Sequence, residues 1–562
     1  MRLHCVGPIL LSVVSGSYAI AQTHFEHPYA TSADSEAHIR NATDNLIFTS
    51  VASLLQQWPN TRFRNGHTIV KAAVPVGTVL YHARGDQHVP LIPEWTGFNV
   101  EHSYLLCPTP ECWMLTLVVE KPLNVIYFDG SSAANSYLGH QDSQDVVIWG
   151  RVRRDKMMAE WERIEEICKW GRQYNLDGFI RMEPGFEVML CDFTKKTKLI
   201  SSIHIMGAES RHPATKEDVA SAFYQRQSMR MSRSLGAQPS EPPKPPPRRR
   251  LPQPLPPNWV GPLRDHQSVS IEGIQAAWWN SFYPGEVRAR IDYTRLVSFY
   301  DPGYTSLLTA REGIPRNRHR LLNISTDDLQ LAMSHLHSDL TREDDNTSGI
   351  DWSALTRAVT DRYTDRLYSM KATLAVSNVE KSNATLVATT IRRQVMVMLT
   401  PYLLYGALPS LFDGQDGRNA SWVQPIAFHC QTSLTSGIVN ETLTRSERLI
   451  KSAIEGVLHR ICTSLTEIWV DAFTVTAASD KRAAELINLW RDKLEELMRW
   501  LDWPMWDTCR PSCPEEMFCY ISTWPWGMSW TEEDVDTIDM TPRCIDRTTG
   551  DLGEPHSHPH VY

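Results

Sequence analysis

Neither sign of charge is in large excess. Lysine and arginine number 56 against 65 acidic residues, a net charge of −9, which argues against a nucleic-acid-binding surface for the protein as a whole. Apolar runs long enough to span a bilayer are scarce too. The stretch that invites a membrane reading is the uncharged run Val395 to Phe412, and Pro401, Gly406 and Pro409 interrupt it. Asn-x-Ser/Thr triplets at Asn383 and Asn419 flank it, so a single span would strand one of them in the cytosol. It therefore reads as buried helix and loop, with no membrane span. A phosphate-binding glycine loop, a nucleophile motif and zinc-ribbon cysteine spacing are all missing, so these chemistries have no sequence support and no metal is expected.

What is present points first to secretion. Met1 to Gln22 has a short basic start, an apolar stretch from Cys5 to Val14 and the small-residue pattern Ala19-Ile20-Ala21. This is a signal peptide over residues 1–21, cleaved before Gln22. Asparagines 41, 323, 346, 383, 419 and 440 (Asn41, Asn323, Asn346, Asn383, Asn419 and Asn440) each open a glycosylation triplet. Of 11 cysteines, loss of Cys5 with the leader leaves an even number for pairing in an oxidising compartment. Cys107 and Cys112 could close a tight loop around Pro-Thr-Pro-Glu. Cys509, Cys513, Cys519 and Cys544 form a second group whose bridges the sequence does not assign.

The chain is too long for one ordinary core. Ten of the nineteen residues from Pro239 to Pro257 are proline, interrupted by Lys244 and Arg248-Arg249-Arg250. This is a stiff, extended linker, taken as 236–258, with a processing-protease cut after Arg250 as an alternative role for the arginines. The expected organisation is multidomain: an α+β domain over 45–230, the Pro-rich linker, an all-α, disulfide-stabilised domain over 259–505, and a Cys/Trp-rich tail over 506–562.

Within the first domain, strand-like runs occur at Val79 to Ala83, Trp113 to Val119, Asn124 to Phe128, Val146 to Trp149, Gly178 to Met182 and Phe186 to Phe193. Met157 to Tyr174 is patterned as a helix. In the second domain Asp351 is placed to cap a helix whose apolar stripe includes Trp352, Leu355, Val359, Tyr363 and Leu367. Thr444 and Glu447 make a capping-box pattern before Ile450, Ile454, Leu458 and Ile461. A third helix runs from Lys481 to Trp500. The tryptophans read mainly as packing, although Trp278-Trp279 and those of the tail are of the type that stacks on sugars.

Candidate chemistry gathers in two stretches. In Gly77-Thr78-Val79-Leu80-Tyr81-His82-Ala83-Arg84, alternation puts His82 and Arg84 on one side of a strand. Asp177 to Phe193 reads as a hairpin, with Pro184-Gly185 at the centre of a type II turn. On its second arm Phe186, Val188 and Leu190 share a face, leaving Glu187 on the other. A carboxylate in so apolar a strand needs a partner or a task.

Leu80-Tyr81-His82-Ala83, then Trp95 to Tyr104, then Phe186 to Asp192 resemble the three signature strands of the ADP-ribosyltransferase fold in its histidine-tyrosine-glutamate form. The resemblance implies an α+β domain that uses NAD as substrate. His82 would hold NAD, Phe98 would stack on nicotinamide, and Glu187 would stabilise the oxocarbenium-like transition state; an arginine-type variant would use Arg84 in place of His82. The implied activity is ADP-ribosyl transfer or NAD hydrolysis, with an unknown protein target, as in a secreted toxin or effector. Two other readings stand beside it. One is a non-enzymatic secreted binding or cell-surface protein in which His82 and Glu187 are structural. The other is a carbohydrate-active hydrolase, which would need a carboxylate pair such as Glu183 and Glu187 in an open groove.

Overall fold

Short runs rich in β-branched and aromatic residues, and long stretches of helical period, divide the chain into a sheet-forming and a helix-forming part. The computed structural model describes residues 43–107, 111–206, 266–343, 348–375, 384–404, 423–473, 480–521 and 540–548. The leader, the linker at 236–258 with Arg248-Arg249-Arg250, most of the tail, and Asn41, Asn346, Asn383 and Asn419 lie outside the described residues.

Two helices come first, α1 (Asp44–Ala52) and α2 (Gln57–Arg62). Strands β1 (Thr68–Val74), β2 (Val79–Arg84) and β3 (Glu94–Gly97) follow, then helix α3 (Val100–Leu105) and strands β4 (Glu111–Val119) and β5 (Leu123–Phe128). Helices α4 (Asp142–Trp149) and α5 (Glu160–Gly171) precede β6 (Gly178–Met182), β7 (Phe186–Leu190) and β8 (Thr197–Met206). After the linker come α6 (His266–Trp278), β9 (Arg290–Ser298), α7 (Thr305–Arg311), α8 (Thr326–Thr341), α9 (Trp352–Ala375) and α10 (Ala384–Leu399). The chain continues through α11 (Val423–Thr432), α12 (Arg445–Phe473), α13 (Asp480–Leu501) and the hairpin β10 (Met517–Ile521) and β11 (Pro542–Asp546).

Nine strands form one mixed sheet in the order β8-β4-β2-β3-β7-β6-β5-β1-β9. Its parallel pair is β5 with β6. A parallel neighbour needs a crossover, and α4 and α5 supply it. Alternation sends Leu80, Val125, Ile180 and Val188 into a core shared with α1, α9, α10, α12 and α13. It sends Ile126, Phe179 and Met189 into a second core with Val146 of α4, Ile164 and Ile167 of α5, and Leu336 of α8. Both faces are thus covered, so β6 and β7 are buried along their whole length.

The helical part follows its sequence signals closely. Asp351 Oδ1 accepts the Ala354 amide at 2.9 Å, ahead of α9. Thr444 and Glu447 satisfy each other's backbone amides at 3.2 and 2.9 Å, a complete capping box for α12. Of the uncharged run from Val395, the described part is the end of α10, where Met398 is buried and Val397 exposed, and its continuation to Leu404. No helix among the described residues is long and apolar enough to cross a membrane.

Two expectations are corrected. Val146 to Trp149 is the second half of α4 rather than a strand. The four apolar residues carry no periodicity of their own, and Gly150 at φ 67° closes the helix in the left-handed region by donating to Val146 O. The part beyond the linker is also not all-α, because β9 pairs antiparallel with β1 and completes the sheet. Five disulfides join Cys107–Cys112, Cys168–Cys191, Cys430–Cys462, Cys509–Cys519 and Cys513–Cys544. The first is the tight loop expected; the second ties α5 to the end of β7.

Helix α1 packs into the helical core although it precedes the sheet. Its Asp44 presses on Gly456 of α12 so closely that a Cβ there would collide with the carboxylate. Burial, reinforced by Glu455, pushes the Asp44 carboxyl up to about 7 from an ordinary 3.8. The folded state therefore keeps this proton longer than the unfolded chain. The contribution of Asp44 to stability is undiminished below the unfolded pKa and declines as pH rises toward the folded one. Asp44→Asn is expected to leave the urea midpoint unchanged at pH 4 and to gain about 2 kcal/mol at pH 8. An equal effect at both pH values would refute the assignment.

Candidate functional site

The sheet register decides which side chains meet. Tyr81 pairs with Gly97, Gly97 with Glu187, and Glu187 with Arg181, so these four form one row and share a face. One residue on, alternation turns His82 and Phe98 to the opposite face from Glu187. The structure therefore does not bring His82, Phe98 and Glu187 to a common surface.

Each has its own surroundings. His82, 1% exposed, lies with Nε2 3.0 Å from Glu94 Oε2 and with its ring 5.6 Å from that of Phe193. Phe98 is a core residue with Leu80 and Val188; the Arg288 guanidinium lies 5.1 Å from its ring and donates to its carbonyl at 2.6 Å. Arg84 turns onto its own loop, donating to Asp86 Oδ2 from Nε at 3.1 Å and from Nη2 at 2.8 Å. Of the glycosylation triplets, Asn323 and Asn440 fall on described residues, and both are exposed.

Glu187 anchors a buried charge network. Arg181, directly opposite it, donates to Glu187 Oε1 from Nε at 2.9 Å and from Nη2 at 2.7 Å. The same guanidinium pairs with Glu160 at the start of α5, and its Nη1 reaches Gln144 of α4 at 3.5 Å. Gln144 in turn donates to Ser132 O at 2.6 Å. On the other side of Glu187, His102 Nε2 of α3 lies 3.7 Å from Oε2. Gly97 and Gly185 leave room for this histidine; a Cβ on Gly185 would come within 3.3 Å of its Nδ1. Gly185 does not take the positive φ that a type II turn needs, so its small size, and not its conformational freedom, is what the hairpin tip uses.

Burial pushes the Glu187 carboxyl up, and Arg181 with His102 more than offsets it, so Glu187 titrates below the ordinary carboxylate range. It is an ionised partner held in place, 4% exposed. The flank near α3 is covered by chain from beyond the linker: Asn99 donates to Ala276 O of α6 at 3.2 Å, and Arg288 Nη2 to Asn99 Oδ1 at 2.8 Å. Glu183 lies past the end of β6, and Glu187 is almost fully buried, so the two do not share an open groove.

Arg181, Glu160, Gln144 and His102 were not singled out from the sequence. Arg181 was within reach from the strand bounds, since arms ending at Met182 and beginning at Phe186 set it opposite Glu187, whereas a two-residue turn at Pro184-Gly185 sets Met182 there. His102 sits inside the segment read for Phe98. Glu160 and Gln144 arrive through the crossover, which no local pattern announces.

Comparison with known proteins corrects the ADP-ribosyltransferase resemblance. Residues 109–215 match the family model described as the YPL277C N-terminal domain, a stretch that includes Gln144, Glu160, Arg181 and Glu187. Two Saccharomyces cerevisiae relatives, each described as an uncharacterized protein, are similar to the chain. YPL277C is 29% identical over 258 residues, covering 34% of this chain and 52% of its own. YOR389W is 30% identical over 211 residues, covering 28% of this chain and 33% of its own. The chain thus spans about half or less of the length of these relatives. No solved structure matches. Of the three short motifs that suggested ADP-ribosyltransferase strands, Phe186 to Asp192 lies inside the stretch matched by this other family model, and the sheet register separates it in space from His82 and Phe98.

If Glu187 holds Arg181 in place, Glu187→Gln leaves a buried guanidinium undercompensated and should cost about 3 kcal/mol in urea denaturation. Removing both charges with Arg181→Met and Glu187→Leu should recover most of that loss. A double variant as unstable as the single one would show that the pair is not the relevant interaction.

Proposed function

We propose that the protein is a non-enzymatic, extracellular binding protein whose buried charges are structural. The observation that carries this reading is the placement of Glu187: almost fully buried and engaged by Arg181 and His102. A carboxylate already neutralised by a rigid guanidinium offers little further stabilisation to charge developing on a substrate. Secretion is supported by the leader-like start, by the exposed Asn323 and Asn440, and by five bridges that use every cysteine except Cys5. Such bridges persist in oxidising compartments and are rare in a reducing cytosol.

The test is expression of the full chain, leader included, in a secreting eukaryotic host. The expected product appears in the medium, loses mass on endoglycosidase treatment, reacts with maleimide only after reduction, and releases no nicotinamide from NAD. A chain retained in the cytosol with free thiols would overturn the extracellular reading. Turnover of NAD abolished by Glu187→Gln would overturn the non-enzymatic one.

A further inference from the structure

A cleft of about 730 Å³ opens on the opposite side of β9 from β1, between α8 and the residues leading into α12. Ligand sites commonly enclose volumes of this order. One wall is the face of α8 that carries His335, Ser338 and Asp339, with Arg342 just past its end; the other carries Thr442 and Arg445. Among the described residues that line it the apolar one is Leu443, itself buried, so those residues present little that would hold an acyl chain or a steroid.

The charges in these walls are already matched. Arg445 Nη1 lies 3.1 Å from Asp301 Oδ2, and its Nη2 lies 3.3 Å from Asp339 Oδ2 and donates to Leu296 O at 2.9 Å. Arg342 Nη2 donates to Thr294 O and Oγ1 at 3.0 and 2.7 Å, while its Nη1 lies 3.7 Å from Asp339 Oδ1. Asp339 is thus flanked by both guanidiniums. The Tyr304 hydroxyl and His335 Nδ1 are 2.9 Å apart, which leaves Nε2 as the ring nitrogen for a ligand. An anion entering the cleft would meet the exposed Glu441, with the buried Asp339 behind the arginines, and a cation would meet the two arginines. Hydroxyl groups meet neither penalty. Each donates to a carboxylate or imidazole and accepts from a guanidinium at the same time, and Ser338 and Thr442 extend the same alternation.

From this we infer that the cleft between α8 and the start of α12 binds a neutral carbohydrate, one or two sugar rings in size. The inference deepens the extracellular binding reading and rests on it. The Arg342 and Arg445 side chains both line the cleft and keep exposures of 25% and 27%.

The experiment is saturation-transfer NMR on the secreted full-length protein with cellobiose, laminaribiose, maltose and chitobiose, and inorganic phosphate as the charged comparison. At least one disaccharide is expected to bind and phosphate is not. Affinity should fall roughly tenfold or more in Arg342→Gln, and signal should vanish in Ser338→Trp, which fills the cleft from an exposed helix position. Thermal unfolding of both variants separates lost binding from lost fold. The assignment is overturned if none of the four sugars binds, if phosphate alone binds, or if binding survives Ser338→Trp in the folded protein. A secreted, fully bridged protein that ignores all four sugars removes the cleft assignment and leaves the extracellular reading intact. A reduced cytosolic product removes the extracellular reading, and the sugar titration then decides the cleft by itself.

Discussion

A guanidinium buried in the middle of a sheet dictates much of what surrounds it. Arg181 cannot be left uncompensated in so dry a place, and its partners come from three directions: Glu187 across the hairpin, Glu160 from α5 and Gln144 from α4. Because both helices belong to the crossover that makes β5 and β6 parallel, the charge network also fixes how that crossover lies on the sheet. Cys168–Cys191 fastens the same helix to the end of the same hairpin. Electrostatics and covalent chemistry therefore constrain one junction twice.

Legibility in the sequence followed the range of the interaction. Local signals were readable: the cap at Asp351, the reciprocal Thr444–Glu447 box, and the strand at Gly178–Met182, whose bounds agree residue for residue. Val146 to Trp149 was not, since four apolar residues fit a strand and a helix turn equally well until Gly150 is known to adopt a positive φ. Non-local pairing was harder still. Nothing in Arg290 to Ser298 announces that its partner is β1, on the far side of a proline-rich linker.

The site shows the same division. Glu187 stood out as an acid that needs a partner or a task, and the structure pairs it with Arg181. Placing it beside His82 and Phe98 required knowing the register between β2, β3 and β7. A shift of one residue exchanges the faces of a strand, so short motifs read one at a time cannot tell a shared surface from its reverse. The cleft between α8 and α12 was invisible for a related reason. Its walls come from helix turns and a connecting segment whose polar residues look like ordinary solvated surface until the two are set face to face.

The pairing of β1 with β9 carries a consequence for the life history of the polypeptide. No disulfide bridges the segments before and after the linker among those present, yet the two segments share a sheet and a core, with α1 lodged among α9, α12 and α13. Severing the backbone at the arginine triplet after folding would therefore yield a noncovalent two-chain particle and not two free domains. A backbone unbroken from β1 to β9 keeps β9 at high effective concentration while β1 waits for it, and once the sheet is complete the shared sheet and core hold the two segments together without it.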